Sequence, residues 1–290
     1  GVTIDSLSAG ASDYVTKPSN VGSVGAGRQA MREAMIPKIK ALVAKPTRSA
    51  AQAQALPPQP SGATPGSAGL LSLAERAQKA KPATRKTPRS RIDVVAIGVS
   101  TGGPNALADL LPRLPNTLPV PVLIVQHMPP VFTRMLAERL DAKCALRVVE
   151  AQEGDEALPG TAYIAPGNYH MVANREGTSL RLHLNQQPPE NSCRPAVDVL
   201  FRSLVESHGA HTLAVVLTGM GKDGLRGCEL LAETGAQIVV QDEPTSVVWG
   251  MPGYVAEAEL AEEILPLDAI AGSIITRLKH DSRGLLHGAS

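Results

Sequence analysis

The chain has 290 residues, of which 43% are apolar and only 2% aromatic, so we expect a core of Ala, Val, Leu and Ile in one large domain or two smaller ones. The formal net charge of +1 argues against a polyanionic partner such as nucleic acid. No apolar run approaches the roughly 18 residues of a transmembrane span, so we expect no membrane insertion.

The cysteines and the first residues bear on the cellular compartment. Cys144, Cys193 and Cys228 are odd in number and lack C-x-x-C spacing, which argues against a disulfide framework or a zinc site. This cysteine usage favours a reducing, cytoplasmic setting. The first residues lack a signal-peptide pattern, and Gly1 stands in what reads as mid-domain sequence, so we expect a natural N-terminus to be missing.

Residues 1–45 form the first of three regions. Ser6–Pro18 predicts the end of a helix closed by Gly10, a short strand and a Lys-Pro turn. Gln29–Leu42 predicts a longer helix, which Pro37 interrupts. A segment of this size makes too small a core to fold reliably alone.

Residues 46–91 are predicted to be a disordered linker. They are rich in Pro, Ala, Ser and Gln, and many basic residues stand against one acidic residue, Glu75. A segment of this composition cannot bury enough apolar surface to offset its chain entropy. Leu70–Ala80 predicts at most a turn or two of helix. The basic excess is either a docking patch or a solvated tether, and the tether is favoured.

Residues 92–290 are predicted to form an α/β domain with a mainly parallel sheet flanked by helices, because strands and helices alternate. The predicted strands of this sheet are Ile92–Val99, Val120–Gln126, Leu146–Glu150, Ala162–Ala165, Leu213–Leu217 and Gln237–Gln241. One predicted helix begins at Pro104, and the others span Val131–Leu140, Pro195–His208, Leu225–Thr234 and Ile264–Lys279. An antiparallel hairpin is predicted from His170–Asn174 and Ser179–Leu184, which flank the turn R-E-G-T.

Three of these strands end in unusual loops, and each loop presents one chemically active side chain. Ser100 lies in G-V-S-T-G-G-P, His127 in V-Q-H-M-P-P and Asp223 in T-G-M-G-K-D-G. If the strands are parallel neighbours, all three loops lie at one edge of the sheet. A serine needs a base to take its proton, imidazole suits that role, and a carboxylate orients the imidazole. The three loops together therefore predict acyl transfer.

Each of these residues also has a structural interpretation. From its loop alone, Ser100 is equally well explained as part of a phosphate-binding loop at a helix N-terminus. Alone, His127 is more often structural, and Asp223 is more often the N-cap of the helix Leu225–Thr234. Only in combination do the three loops favour the catalytic interpretation.

The other candidates are weaker. The two histidines of the hairpin, His170 and His183, are expected at the surface. His208 and His211 flank a helix end, where a cation suits the helix dipole. None has a second donor at metal-ligand spacing, so no metal site is predicted. Trp249 and Met251 are interpreted either as lining a substrate groove or as core residues.

The order of the three residues along the chain separates this sequence from the α/β-hydrolases. Those enzymes carry serine, then the acid, then histidine, whereas the acid comes last here. From about Ile92 to Lys279 the sequence instead resembles the CheB family of chemotaxis protein-glutamate methylesterases. The resemblance rests on six motifs in the right order: I-G-V-S-T-G-G-P, V-Q-H-M-P, Y-I-A-P-G-N-Y-H, S-C-R-P-A-V-D-V-L-F, V-L-T-G-M-G-K-D-G and W-G-M-P. It implies a Rossmann-like methylesterase domain.

The resemblance also implies a role for each site residue. Ser100 becomes the nucleophile, His127 the general base and acid, and Asp223 the orienting carboxylate. The backbone N–H of Met220 becomes an oxyanion-hole donor, and that of Thr101 is a natural second donor because it follows the nucleophile. The implied reaction forms an acyl-enzyme with loss of methanol and then hydrolyses it, without a metal or organic cofactor.

The family acts on glutamate methyl esters of the cytoplasmic helices of chemoreceptors, and some members deamidate glutamines there. The resemblance therefore implies that chemoreceptor cytoplasmic domains are partners, and that the chain is cytoplasmic. Two other functions remain open from the residues themselves. One is a non-catalytic module that holds a nucleotide phosphate at Gly98–Gly103, and the other is a serine hydrolase of a different ester or amide.

Residues 1–45 resemble the C-terminal remnant of a response-regulator receiver domain. G-A-S-D-Y-V-T-K-P matches the last strand and Lys-Pro turn of that fold, and Lys17 matches its phosphate-sensing lysine. The strand that carries the phosphoacceptor aspartate is absent, as is the acidic magnesium-binding pair, and neither Asp5 nor Asp13 falls at that position. We therefore expect no complete receiver in this chain, and a histidine kinase as partner only if a full receiver exists.

Overall fold

The computed structural model describes residues 6, 11, 13, 15, 23–43 and 90–284. The predicted linker, residues 46–91, lies outside these residues except for Ser90 and Arg91. The predicted helical turns at Leu70–Ala80 and most of the strand and turn predicted within Ser6–Pro18 also lie outside them.

A seven-stranded sheet forms the centre of the described structure, and every neighbouring pair in it is parallel. The strands stand in the order β3-β4-β2-β1-β7-β8-β9, and β5 and β6 form a separate antiparallel hairpin. The strands are β1 Val94–Val99, β2 Val122–Gln126, β3 Arg147–Glu150, β4 Thr161–Ile164, β5 His170–Glu176, β6 Ser179–Asn185, β7 Thr212–Val216, β8 Gln237–Gln241 and β9 Glu263–Leu265. The predicted fold class is confirmed.

Helices cover both faces of the sheet, and each face has its own apolar core. The helices are α1 Val24–Val43, α2 Gly103–Leu110, α3 Phe132–Asp141, α4 Val197–Ser207, α5 Leu225–Thr234, α6 Met251–Glu257 and α7 Leu267–Gly284. Helices α2, α3 and α7 pack on one face, whereas α4, α5, α6 and the hairpin pack on the other. Strands β1, β2, β7 and β8 are buried throughout, which explains their nearly continuous apolar sequences.

Three parts of the sequence fold differently from the prediction. The stretch predicted as the helix Ile264–Lys279 begins instead with the edge strand β9, and α7 starts only after Pro266. Pairing of β9 with β8 satisfies backbone groups there, and a partner so distant in sequence leaves no local signal. Helix α6 was not predicted. Helix α1 continues through Pro37, so the predicted interruption is wrong. The proline removes one backbone N–H from the helix, and the residues on both sides of Pro37 remain helical.

The parallel register brings three strand ends to the same edge of the sheet. Val99 at the end of β1 is level with Gln126 at the end of β2. On its other side, Gly98 of β1 is level with Val216 at the end of β7. The loops that follow these strands therefore start side by side, as the sequence predicted for neighbouring parallel strands.

Gly98 lets helix α4 approach strand β1 closely, and we expect Gly98→Ala to destabilise the protein. A Cβ at this position would lie 2.5 Å from Cγ1 of Val197, the first residue of α4. We expect the free energy of unfolding in urea to fall by about 1–3 kcal/mol, the usual cost of overpacking. Gly272→Ala is the control, because Gly272 lies in helix α7 with nothing within 4 Å of its Cβ position. That variant is expected to gain up to about 1 kcal/mol. Wild-type stability of Gly98→Ala would contradict the prediction.

Candidate active site

Ser100 lies at the tip of the turn that connects β1 to α2. Its backbone N–H donates a hydrogen bond to the carbonyl of Thr218 (3.0 Å), and its own carbonyl accepts one from the N–H of Gly103 (2.8 Å). Gly102 has a φ of 80° and a Cβ there would lie 2.6 Å from Val247, so only glycine fits this turn well. The turn thus fixes the backbone of Ser100 from both sides.

His127 follows β2 and reaches the serine with its imidazole ring. The Nδ1 atom of His127 lies 3.1 Å from Oγ of Ser100. The buried amide of Gln126 connects the two loops, because its Nε2 donates to the carbonyls of both Ser100 (3.1 Å) and His127 (3.3 Å). No role was predicted for Gln126 from the sequence.

Asp223 lies on the opposite side of the imidazole. Its Oδ2 is 2.8 Å from Nε2 of His127 and also accepts the backbone N–H of Val197 (2.6 Å). Its Oδ1 accepts hydrogen bonds from the backbone N–H groups of Asp198 and Gly224 and from the amide of Asn191. Gly224, and not Asp223, occupies the N-cap of α5, and no side-chain cap bond is present there. The N-cap interpretation of Asp223 is therefore wrong.

The environment shifts the pKa values of the two charged partners in opposite directions. Burial disfavours the imidazolium, but hydrogen bonds to Asp223 and Cys193 favour it more strongly and raise the pKa of His127 to about 9. Burial alone would raise the pKa of Asp223, yet the hydrogen bonds from His127 and from the backbone of Val197 and Asp198 lower it. The carboxylate is thus held in its charged form, and the imidazole binds a proton more strongly than a free histidine does.

A second buried carboxylate, Asp198, lies beside Asp223, and it was not predicted from the sequence as a site residue. Its Oδ1 accepts the backbone N–H groups of Gly224 (3.0 Å) and Gly227 (2.7 Å), and its Oδ2 accepts the amide of Asn191 (2.8 Å). Burial raises the pKa of Asp198 to about 6. Asp198 and Asn191 therefore hold the chain around Asp223 without touching the imidazole.

The candidate oxyanion donors Thr101 and Met220 belong to the two loops that meet at Ser100. Thr101 is the next residue and is buried, and the Met220 turn packs against the serine, since a Cβ on Gly219 would lie 2.9 Å from Cβ of Ser100. Among the residues that the structure describes, the backbone N–H groups of Thr101 and Met220 have no acceptor. Backbone N–H groups without an acceptor, in the loops that meet at a serine, are the kind of donor that stabilises an oxyanion.

Cys193 is a further residue at this site, and no role at the site was predicted for it from the sequence. Its Sγ lies 3.5 Å from Nδ1 of His127. Ligand atoms of His127, Cys193 and Asp223 all lie within 4.8 Å of one another, so this group has the composition of a metal-binding cluster. A cavity of about 360 Å³ borders His127 and Cys193, and Val15 and Lys38 of the N-terminal segment also line it.

The remaining candidates have structural surroundings. His170 is 1% exposed, which contradicts the predicted surface position; its ring accepts the backbone N–H of Ala196 at 3.2 Å and contacts the carbonyl of Pro188. Met251 is fully buried in the core. Trp249 donates its indole N–H to the carbonyl of Gln241 (3.2 Å). The structure therefore favours packing roles for these residues.

Comparison with known proteins gives a consistent result. Residues 95–274 match the CheB methylesterase family. The chain is 48% identical to the protein-glutamate methylesterase/protein-glutamine glutaminase of Trichodesmium erythraeum over 95% of this chain and 73% of that protein. It is 49% identical to the protein of the same name from a Nocardioides species over 98% of this chain and 73% of that protein.

A solved structure is similar as well. The crystal structure of the Thermotoga maritima CheB methylesterase catalytic domain has a TM-score of 0.63 and 41% sequence identity, and covers 64% of this chain and 99% of that chain. Within the described residues, no helix has the length and apolar character needed to cross a membrane.

Proposed function

The chain belongs to the CheB methylesterase family, and we propose that Ser100, His127 and Asp223 carry out its protein-glutamate methylesterase reaction. The names of its relatives include a second activity, protein-glutamine glutaminase, which fits the same chemistry because an ester and an amide share the acyl group. The observation that carries the proposal is the unbroken contact from Ser100 Oγ through the imidazole to the Asp223 carboxylate, at 3.1 and 2.8 Å.

In the first half of the proposed reaction, Ser100 attacks the carbonyl carbon of the glutamate methyl ester. His127 Nδ1 accepts the hydroxyl proton as the new Oγ–carbon bond forms. The N–H groups of Thr101 and Met220 stabilise the oxyanion of the tetrahedral intermediate. The imidazolium then protonates the departing methoxide, so that methanol leaves and an acyl-enzyme remains.

In the second half, water replaces the alcohol. His127 takes a proton from the water molecule while the water oxygen attacks the acyl carbon. His127 then gives this proton to Ser100 Oγ as the ester bond to the enzyme breaks. The products are a free glutamate carboxyl group and the original serine. With a glutamine side chain as the substrate, the leaving group of the first half is ammonia instead of methanol.

The substrate is proposed to be the cytoplasmic part of a chemoreceptor, which follows from the role of the family in chemotaxis. Methanol release from a methylated receptor fragment, measured beside hydrolysis of simple methyl esters, tests this proposal. Preference for the receptor fragment is expected. Equal or greater activity on simple esters would favour a serine hydrolase with another substrate.

The pH dependence of the reaction follows from the pKa of His127. Only neutral imidazole accepts the proton of Ser100, and the pKa of His127 is raised to about 9, so we expect kcat/KM to rise with pH up to about 9. His183→Gln is the control, because His183 lies on the hairpin, where its ring contacts Glu153 and Glu176. This variant should leave the midpoint of the rise in kcat/KM with pH unchanged. The measurement must subtract the spontaneous hydrolysis of the ester. A plateau already reached at pH 7 would contradict the prediction.

The same pKa predicts an opposite change in stability. Because the folded-state pKa of His127 is raised above its ordinary value of 6.5, the protonated ring stabilises the fold fully below pH 6.5, and this contribution is lost as the pH rises through about 9. The free energy of unfolding should therefore fall over the range in which kcat/KM rises.

A further inference from the structure

The contact between Cys193 and His127 has the dimensions of a metal site. Zinc binds sulfur at ~2.3 Å and imidazole nitrogen at ~2.0 Å, and at a tetrahedral angle these two ligand atoms stand about 3.5 Å apart. The observed separation between Cys193 Sγ and His127 Nδ1 is 3.5 Å. One ion placed between them would therefore reach both atoms without moving either side chain.

Asp223 prepares His127 for this role. Because the Asp223 carboxylate accepts the proton of Nε2 at 2.8 Å, the neutral ring has its free lone pair on Nδ1, which faces Cys193 and Ser100. Histidine ligands of zinc commonly donate their other N–H to a carboxylate in this way, which fixes the ring and raises its basicity. The arrangement that prepares the base for catalysis thus also prepares it for a metal ion.

Cys193 is held in place by a tight turn, so it does not need to be ordered by the ion. The backbone of Cys193 pairs with that of Glu190 in both directions, at 2.8 and 3.0 Å, and Asn191 and Ser192 between them have φ values of 51° and 62°. The carboxylate of Glu190 binds Arg202 of helix α4 through both oxygens, at 2.6 and 2.5 Å. Cys193 is partly exposed and lines the cavity, which offers an ion a route to it.

We propose that Cys193 Sγ and His127 Nδ1 form an inhibitory binding site for Zn²⁺. A thiolate and an imidazole are the ligand pair that a borderline-soft cation such as Zn²⁺ selects, whereas Mg²⁺ prefers oxygen ligands. With two protein ligands, water or Ser100 Oγ fills the remaining positions, so the ion exchanges and is not a structural component. These two ligands are 66 residues apart along the chain, so no short spacing such as C-x-x-C marks the site in the sequence.

Binding at this site stops the reaction by a simple route. The ion takes the Nδ1 lone pair that accepts the proton of Ser100, and the cysteine proton is released to solvent when the thiolate coordinates. The inhibition rests on the proposed function, since it requires His127 to be the general base. The binding of the metal ion does not rest on it.

The site is tested by two measurements with different readouts. In the first, Co²⁺ replaces Zn²⁺ as a probe, because a cysteine thiolate bound to Co²⁺ gives a charge-transfer absorption in the near ultraviolet. We expect this band in the wild type and in Cys144→Ser, no band in Cys193→Ser, and loss of the band when Zn²⁺ is added. Cys144 is the matched control, being another partly buried free cysteine.

In the second measurement, methanol release is recorded against Zn²⁺ concentration, and each variant is compared with its own zinc-free rate. We expect Zn²⁺, but not Mg²⁺, to inhibit the wild type and Cys144→Ser, and a chelator to restore activity. Loss of an outer-shell partner weakens zinc binding roughly 10- to 100-fold, so loss of the Cys193 ligand should raise the inhibitory concentration at least about that much.

The two readouts separate the possible failures. If Cys193→Ser gives the same cobalt spectrum and the same zinc inhibition as the wild type, the proposed site is wrong. If neither ion binds the wild type, the 3.5 Å contact is only a hydrogen bond, and the proposal is also overturned. A Cys193-dependent cobalt band in a protein that releases no methanol would support the metal site and contradict the proposed function instead.

Discussion

Ser100→Ala is expected to reduce the turnover of methylated receptor by about 10⁴ to 10⁶-fold, the loss seen when a catalytic nucleophile is removed. The alanine leaves His127 and Asp223 in place, but no atom remains at 3.1 Å from Nδ1 to attack the ester. The activity that survives would come from the oxyanion donors acting on water. Methanol release under saturating substrate measures this change directly.

Ser207→Ala is the control for this experiment. Ser207 is the last residue of α4, and the first turn of that helix, at its other end, contacts Asp223. The Ser207 hydroxyl donates to the carbonyl of Ser203 at 2.9 Å. Its variant should turn over substrate at the wild-type rate. Near-normal methanol release by Ser100→Ala would contradict the assignment of the nucleophile. Thermal stabilisation by nucleotides, without methanol release by the wild type, would instead revive the phosphate-loop interpretation of Gly98–Gly103.

The proximity of Ser100, His127 and Asp223 was predictable because it depends on a local signal and a general rule. Apolar runs ending in glycine- or proline-rich loops marked the carboxyl ends of β1, β2 and β7. Parallel strands place those ends at one edge, so three separate sequence signals implied one location.

The residues that surround this group were not predictable in the same way. Asn191 and Cys193 lie in a turn between β6 and α4, where no hydrophobic period applies, and Asp198 reads as an ordinary acidic residue in the first turn of α4. Their partners are far away in sequence: Asn191 bonds to Asp223 across 32 residues, and Cys193 contacts His127 across 66. Contacts of this kind depend on how α4 packs against the sheet, which no local pattern specifies.

Asp223→Asn is expected to reduce kcat by about 10⁴-fold, because the amide gives His127 the wrong tautomer. Every hydrogen-bond partner of the Asp223 carboxylate is an N–H group. These groups are the imidazole and the backbone of Val197 at Oδ2, and the backbone of Asp198 and Gly224 and the amide of Asn191 at Oδ1. An amide NH₂ therefore faces donors in either orientation. It faces fewer at the Oδ2 position, where the imidazole is able to adapt by accepting at Nε2.

That adaptation removes the base. When Nε2 accepts a hydrogen bond from the amide, the proton of neutral His127 moves to Nδ1, which then faces Ser100 with an N–H and cannot take its proton. Nitrogen chemical shifts of His127 distinguish the two tautomers and should report this exchange in the variant. A wild-type tautomer together with wild-type kcat would contradict the role of Asp223.

Asp198→Asn separates this effect from general damage to the buried carboxylate cluster. Asp198 is also buried, and its hydrogen-bond partners are likewise N–H groups, those of Gly224, Gly227 and Asn191. Unlike Asp223, it does not touch the imidazole. Both variants should lower the free energy of unfolding by about 1–3 kcal/mol, because each leaves buried donors unsatisfied. Only Asp223→Asn should also change the tautomer of His127 and reduce kcat by the larger factor, since only Asp223 determines which imidazole nitrogen faces the serine.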